Sequence, residues 1–257
     1  MSSSPSPLEA APAAELADPL DESGVAPPPE VDALSRWFTR AFADLDTLNA
    51  DFCEHLEKAS SPEDDVVALA RLGRDGIKKR SKRFLAEHPA ADGVGVIFAR
   101  AADAEGRGVI EWWERDASLG VHRYAFGLNP AGDRFYDYEK IEWFVMTFGS
   151  GQHWITGPYI DYLGVDEYVV TLTAQSSVHG RPVGIAGVDI QMSDLERELL
   201  PLLQRFPGRA ALVTTHGSVL ASNTSSLIAG DRVRPAELGL KEHPLRASGA
   251  SVTVVYE

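Results

Sequence analysis

The chain is poor in the things that announce an activity. It holds a single cysteine, Cys53, among 257 residues. No internal disulfide framework can therefore form, and a cysteine-rich zinc site is excluded. No window approaches eighteen consecutive apolar residues, so no membrane-spanning helix is expected. Basic residues are in deficit, 24 against 38 acidic, for a formal net charge of -14. That balance argues against a nucleic-acid partner and against an anionic membrane surface. The first thirty residues carry six acids and no Lys or Arg. They lack the basic start and apolar run of a secretion signal, and the expected compartment is the cytoplasm. The seven histidines are scattered without metal-ligand spacing, so no metal and no cofactor are expected. G-x-S-x-G, the phosphate-binding P-loop and the dinucleotide glycine pattern are all missing. No catalytic residue is assigned, and an enzyme is the least favoured class. In principle Asp161 and Asp189 could act as an acid/base pair.

What is present falls into three parts. Residues 1–30 are rich in Pro, Ser, Ala and acid and read as a disordered tail. Residues 31–206 form a larger module and 207–257 a shorter second one. From Val31 the apolar residues Leu34, Trp37, Phe38, Ala41, Phe42, Leu45, Leu48, Phe52 and Leu56 recur every three or four positions. This is the stripe of one long amphipathic helix, which must lie along a domain or pair with a second copy. A second helix is expected from Ser61 or Pro62 to Pro89, with acids at its start and bases towards its end, as the helix dipole favours. Its basic run Lys78–Arg83 is read as a solvated face, or as a docking patch for an acidic partner.

From Gly93 the period shifts towards two. Strands are expected in 93–101, 108–116 and 122–128, then a short helix with an aromatic face formed by Tyr138, Ile141 and Phe144/Val145. A hairpin of 168–176 and 181–191 follows. The tetrapeptide Ser193–Glu196 fits a capping box opening a helix to about Gln204. A second hairpin turns at His216-Gly217, and residues 250–257 form a last strand. The expected class is α+β: a long N-terminal helix packed on an antiparallel sheet, with a second, smaller and shortened module.

Two aspartates stand out. Asp161, in "WITGPYID", and Asp189, in "GIAGVDI", sit in otherwise apolar strand-like settings. Carboxylates avoid such places unless a positive charge meets them. The positive charge is a ligand, a metal, or a buried Arg or Lys; in the structural reading Asp161 caps a turn and Asp189 pairs with an arginine such as Arg123 or Arg181. In "EWWER" the two tryptophans must face opposite ways. Plain core packing is the favoured reading of the pair, and Trp113 is kept among the candidate pocket residues as the alternative. Trp154 and Tyr159 are taken as scaffold aromatics.

The run "WITGPYID" from Trp154 to Asp161, the strand "YVVTLT", "GRPVGIAGVDI" and the helix "SDLERELL" together resemble the double Cache sensor domains, also called PDC, whose sheets are PAS-like. "ALVTTHGSVLASN" resembles the hairpin that opens their second module. The resemblance covers roughly residues 31–257 and is strongest from Phe135 to Asn223. It implies a small-molecule receptor with its pocket in the larger module and a long N-terminal helix that often mediates dimers. In members that bind amino acids, the ammonium is held at the positions of Asp161 and Asp189. The resemblance also implies an aromatic pair matching Trp143 and Phe144, and a tyrosine matching Tyr136 or Tyr138. Those members place an arginine two residues before the tryptophan, to clamp the ligand carboxylate. Here that residue is Ile141. The expected ligand is thus an amine, or an amino-acid-like cation whose carboxylate meets Arg123, Arg134 or Lys140 instead. The expected partners are that small molecule, a separate protein that reads the signal, and a second copy through the long helix. The alternative is an interaction protein on the same scaffold with an empty pocket.

Overall fold

The structure is a computed structural model. It describes residues 27–100, 108–116, 118–124, 126–129, 131, 135–160, 168–245 and 252–257. Helix α1, Pro29–Ala59, buries Leu34, Phe38, Phe42, Leu45, Leu48, Phe52 and Leu56, the stripe seen in the sequence. At 31 residues it is about 45 Å long. Helix α2, Val66–Glu87, begins later than the Ser61–Pro62 signal suggests. The acids 63–65 precede it, and the Asp65 carboxylate caps it by accepting from the Ala68 N–H at 2.8 Å. Lys78, Lys79, Lys82 and Arg83 of its basic run are exposed, as a solvated face requires.

The strands β1 (Ala91–Phe98), β2 (Val109–Asp116), β3 (Gly120–Arg123), β4 (Trp154–Ile160), β5 (Tyr168–Val178) and β6 (Arg181–Gln191) form one sheet. Its order is β3-β2-β1-β6-β5-β4, and every pairing is antiparallel. Strand β3 is shorter and earlier than the expected 122–128. A 3-10 turn, Tyr138–Lys140, and helix α3, Glu142–Ser150, lie between β3 and β4. Both faces of the sheet are buried, but under different covers. Val94, Val96, Phe98, Trp113, Leu172, Ala186 and Val188 share a core with α1 and α2. Ile97, Ile110, Trp112 and Ile185 share a separate cluster with Tyr138, Trp143 and Phe144. Strand alternation alone assigns each residue to its side.

Helix α4, Met192–Leu203, follows β6 without a loop. Its N-cap is Gln191, with no side-chain cap, so Ser193 already lies inside the first turn and the expected capping box does not form. Burial of Met192 in the main core sets this earlier start. A second sheet follows: β7 (Ala210–Thr214), β8 (Val219–Ser222), β9 (Lys241–Pro244) and β10 (Val252–Tyr256), in the order β8-β7-β10-β9. One apolar core runs from Val31 through the first sheet and α4 to Val254 in the second. The Trp37 indole N–H of α1 donates to Glu198 of α4 at 2.6 Å.

One polar contact ties α1 to the sheet. Strand β5 runs past the last β4 pair, Trp154↔Thr173, which leaves the Gln175 carbonyl without a β4 partner. The Asn49 amide fills that place, donating to Gln175 O at 2.8 Å and accepting from the Ser176 hydroxyl at 2.6 Å. Replacing Asn49 by Leu strands both groups inside the core. The expected cost is about 2–3 kcal/mol, read as a lower midpoint in urea unfolding. A change under about 0.5 kcal/mol would show that the contact is incidental.

Candidate functional site

The cavity lies on the α3 side of the first sheet, and the strand register builds it. One cross-strand row reads Glu114, Gly93, Asp189, Thr171, Thr156 from β2 to β4. The next reads Trp112, Gly95, Gly187, Thr173, Trp154. Glycines in these rows leave room for the Trp112 indole to lie against the sheet. A Cβ on Gly93 would sit 2.7 Å from Trp112 Nε1, and one on Gly187 would sit 3.3 Å from its six-membered ring. Side chains larger than hydrogen would displace the indole.

Asp189 is held by a relay of hydroxyls. The Thr171 hydroxyl donates to Asp189 Oδ1 at 2.6 Å. Because its one proton is used there, the Tyr159 hydroxyl, 2.5 Å away, is the donor to Thr171. The relay orients the carboxylate. Tyr159, taken from sequence as scaffold, thus supports the acidic group through Thr171.

The cover comes from the 135–150 segment and the β3 exit. Phe126 and Tyr136 stack at 5.4 Å, and Tyr136 meets Trp143 at 6.4 Å. Helix α3 is pinned at both ends. The Trp154 indole N–H donates to Glu142 at 3.0 Å, and the Gln175 amide donates to Phe148 O at 2.8 Å. In its middle the Thr147 and Thr173 hydroxyls meet at 2.6 Å.

The resulting cavity is lined by Asp189, Thr171, Trp112, Trp143, Tyr136, Phe126, Tyr159, Ile97 and Ile110. Its free volume is about 20 Å³, room for roughly one water molecule. Asp189 is the one charged side chain in that lining among the described residues. The structural arginines named as its alternative partners lead elsewhere. Arg123 makes two 3.0 Å contacts to Glu111, which Arg74 also meets at 2.9 Å. Arg123 pairs with Trp113 across β2–β3, which places it on the helix side of the sheet. Arg181 donates to the Asp64 carbonyl, and it starts β6 eight residues before Asp189. That separation is about 26 Å along a strand. Lys140 is exposed and paired with Asp137 at 2.8 Å. Arg134 lies outside the described residues.

The sequence-derived candidates separate accordingly. Asp189, Trp143 and Tyr136 line the cavity together. Phe144 packs behind Trp143, at 6.2 Å between rings. Tyr138 is fully buried, with its hydroxyl donating to Phe98 O at 2.7 Å and accepting from Val109 N at 3.3 Å, so it serves as scaffold. Trp113 is not at the cavity. It lies on the opposite face in the α1–α2 core, and Trp112 takes the place expected for it. The phase of the pair is set by Glu111, whose carboxylate is drawn to Arg74 of α2 and carries Trp113 to the helix side with it. Asp161 lies outside the described residues. Trp112, Phe126 and Thr171 were not expected; the alternation of β2 and the Thr171–Asp189 register are the signals that find them.

A short helix closing an aromatic, singly charged cavity over a PAS-like antiparallel sheet, with long helices behind, is the build of a ligand-sensing module. Residues 77–197 match the family model of the first PDC sensor domain of methyl-accepting chemotaxis protein-like receptors. That segment is thus similar to the PDC, or double Cache, sensor domains. Solved structures share the fold over most of the chain. Methyl-accepting chemotaxis protein X aligns with TM-score 0.56 and 17% identity, covering 88% of this chain and 94% of its own. The extracellular domain assigned to a histidine kinase, mmHK1S-Z2, aligns at 0.56 and 16%, covering 88% and 92%. A second such domain, mmHK1S-Z3, aligns at 0.55 and 15%, with the same coverage. No curated protein sequence matches the chain. No helix among the described residues is long and apolar enough to cross a membrane.

Burial pushes the Tyr138 phenol up to about 12. Its folded value lies above the unfolded value near 10, so the associated stability is complete below pH 10 and is lost as pH rises through 12. The loss amounts to about 2–3 kcal/mol. Urea unfolding at about pH 9.5 and about pH 11.5, either side of the unfolded phenol's range, should show a steeper alkaline loss in the wild type than in Tyr138→Phe. Equal losses would mean that the phenol is not buried as described.

Proposed function

We propose that the chain is the sensing part of a signalling system and that its first module binds a small amine cation. The observation that carries this reading is charge. The cavity presents one carboxylate, Asp189, within a ring of aromatic faces, and no described lining residue is a cation. A carboxylate forms strong charge-assisted bonds to an ammonium. The faces of Trp143 and Tyr136 add cation–π attraction of about 0.5–2 kcal/mol. An amino-acid carboxylate would meet no cation among the described lining residues, and the clamp position is Ile141, part of the apolar cluster. Burying that second charge unpaired is costly. Asp161 joins Asp189 at the ammonium in this reading.

The free volume is only about 20 Å³, so a ligand is admitted by outward movement of α3 or of the Phe126–Tyr136 stack. Helix α3 is bonded to Gln175, and the Gln175 carbonyl to Asn49 of α1. Displacement of α3 is therefore felt at α1, the surface from which a partner protein or a second copy would read it. A second reading is favoured by the same small volume: an interaction protein on this scaffold, with its pocket filled by Trp112, Trp143 and Tyr136.

Thermal unfolding against a panel of amines, amino acids and carboxylates separates the two. A binding amine at a hundredfold excess over Kd should stabilise the fold by about 2.7 kcal/mol. Asp189→Asn should weaken that binding at least about tenfold. Unchanged binding in Asp189→Asn would remove the aspartate from the site. Silence across the whole panel would favour the filled-pocket reading.

A further inference from the structure

The cavity also holds a donor that no described residue uses. Trp112 is 2% exposed, and its Nε1 is buried without a hydrogen-bond partner. Buried indole N–H groups ordinarily find an acceptor. This one is placed by the fold. The closest approach a Gly93 Cβ would make is to Trp112 Nε1, and Gly93 is the cross-strand neighbour of Asp189. The N–H therefore sits about one strand spacing, roughly 4.8 Å, to the β1 side of the Asp189 column. Apart from Asp189, the Thr171 hydroxyl bonded to it and the Tyr159 hydroxyl bonded to Thr171, the remaining described lining is apolar or aromatic.

Resting on the amine reading above, we propose that Trp112 is a specificity-determining ligand contact, and that the ligand is an amine carrying a neutral oxygen acceptor on the adjacent carbon. An amino alcohol is the simplest member of that class. The ammonium meets Asp189 while the oxygen accepts from the Trp112 N–H one column away. A plain alkylamine or a long diamine satisfies the carboxylate but leaves the indole unpaired. A site that offers a hydrogen bond discriminates strongly against analogues unable to accept it. An α-amino acid also has an acceptor, but it brings a second charge into a lining with no described cation.

The test uses two probes of nearly equal shape, 2-aminoethanol and propylamine, which differ by a hydroxyl in place of a methyl. Their affinities for the full chain are measured by calorimetric titration. The wild type should bind 2-aminoethanol about tenfold more tightly than propylamine. Trp112→Phe should bring that ratio close to one while propylamine still binds, whereas Asp189→Asn should weaken both probes. A wild-type ratio near one, with both amines bound, overturns the role of Trp112 and leaves the amine reading standing. That result needs no variant, so it decides even if Trp112→Phe folds poorly. A tenfold ratio that persists in Trp112→Phe also overturns it, because the hydroxyl is then read elsewhere. Failure of both probes to bind the folded wild type removes the amine reading and this proposal with it.

Discussion

The first sheet must be buried on both faces, and the way it meets that constraint determines the rest of the molecule. One face is sealed by α1 and α2 through a continuous apolar core that extends into the second sheet. The other, among the described residues, is covered by the nine residues of α3, the segment before it from residue 135 and the β3 exit around Phe126. A long cover held by many apolar side chains is difficult to displace, whereas a short one pinned by a few hydrogen bonds moves at lower cost. Asp189 lies under the short cover. The fold thus divides into a fixed side and a movable side, with strands β5 and β6 in contact with both.

That division gives the hydrogen bonds at the centre of β5 a specific meaning. Gln175 reaches α3 with its side chain and α1 with its backbone carbonyl. Asn49 and Ser176 complete the junction from the other side. On the second sheet, the His216 ring lies 3.2 Å from Glu142 at the start of α3, and the same carboxylate accepts from Trp154. The covering helix is therefore in contact with β4, β5 and the β7–β8 turn, so any change in its position is distributed to both sheets.

Much of this was legible in the sequence because it depends on local periodicity. The 3.6-residue stripe of α1 needs no tertiary information, and neither does a lone aspartate inside "GIAGVDI". The Trp112–Trp113 choice was not legible. Period-two alternation says that the two rings point apart, but the phase is set by Glu111 reaching Arg74 and Arg123, residues 37 and 12 positions away. The capping signal at Ser193 was overridden because Met192 is buried as the helix leaves β6. Strand β9, Lys241–Pro244, gave no signal because it is a polar, mostly exposed edge strand whose partner is the distant β10. Tyr159 and Thr171 look like ordinary strand residues until the β4–β5–β6 register places their hydroxyls in line with Asp189.

The central claim is that the α3 side of the sheet, and not the helix side, receives a cation beside Trp112. The most direct measurement is the indole N–H region of the ¹H–¹⁵N correlation spectrum, with each tryptophan assigned by substitution, during titration with 2-aminoethanol. The account predicts that the Trp112 signal moves saturably, in the direction expected for a newly formed hydrogen bond, while that of Trp113 stays in place. A Trp112 signal that remains fixed while the amine binds would place the ligand elsewhere and contradict the account.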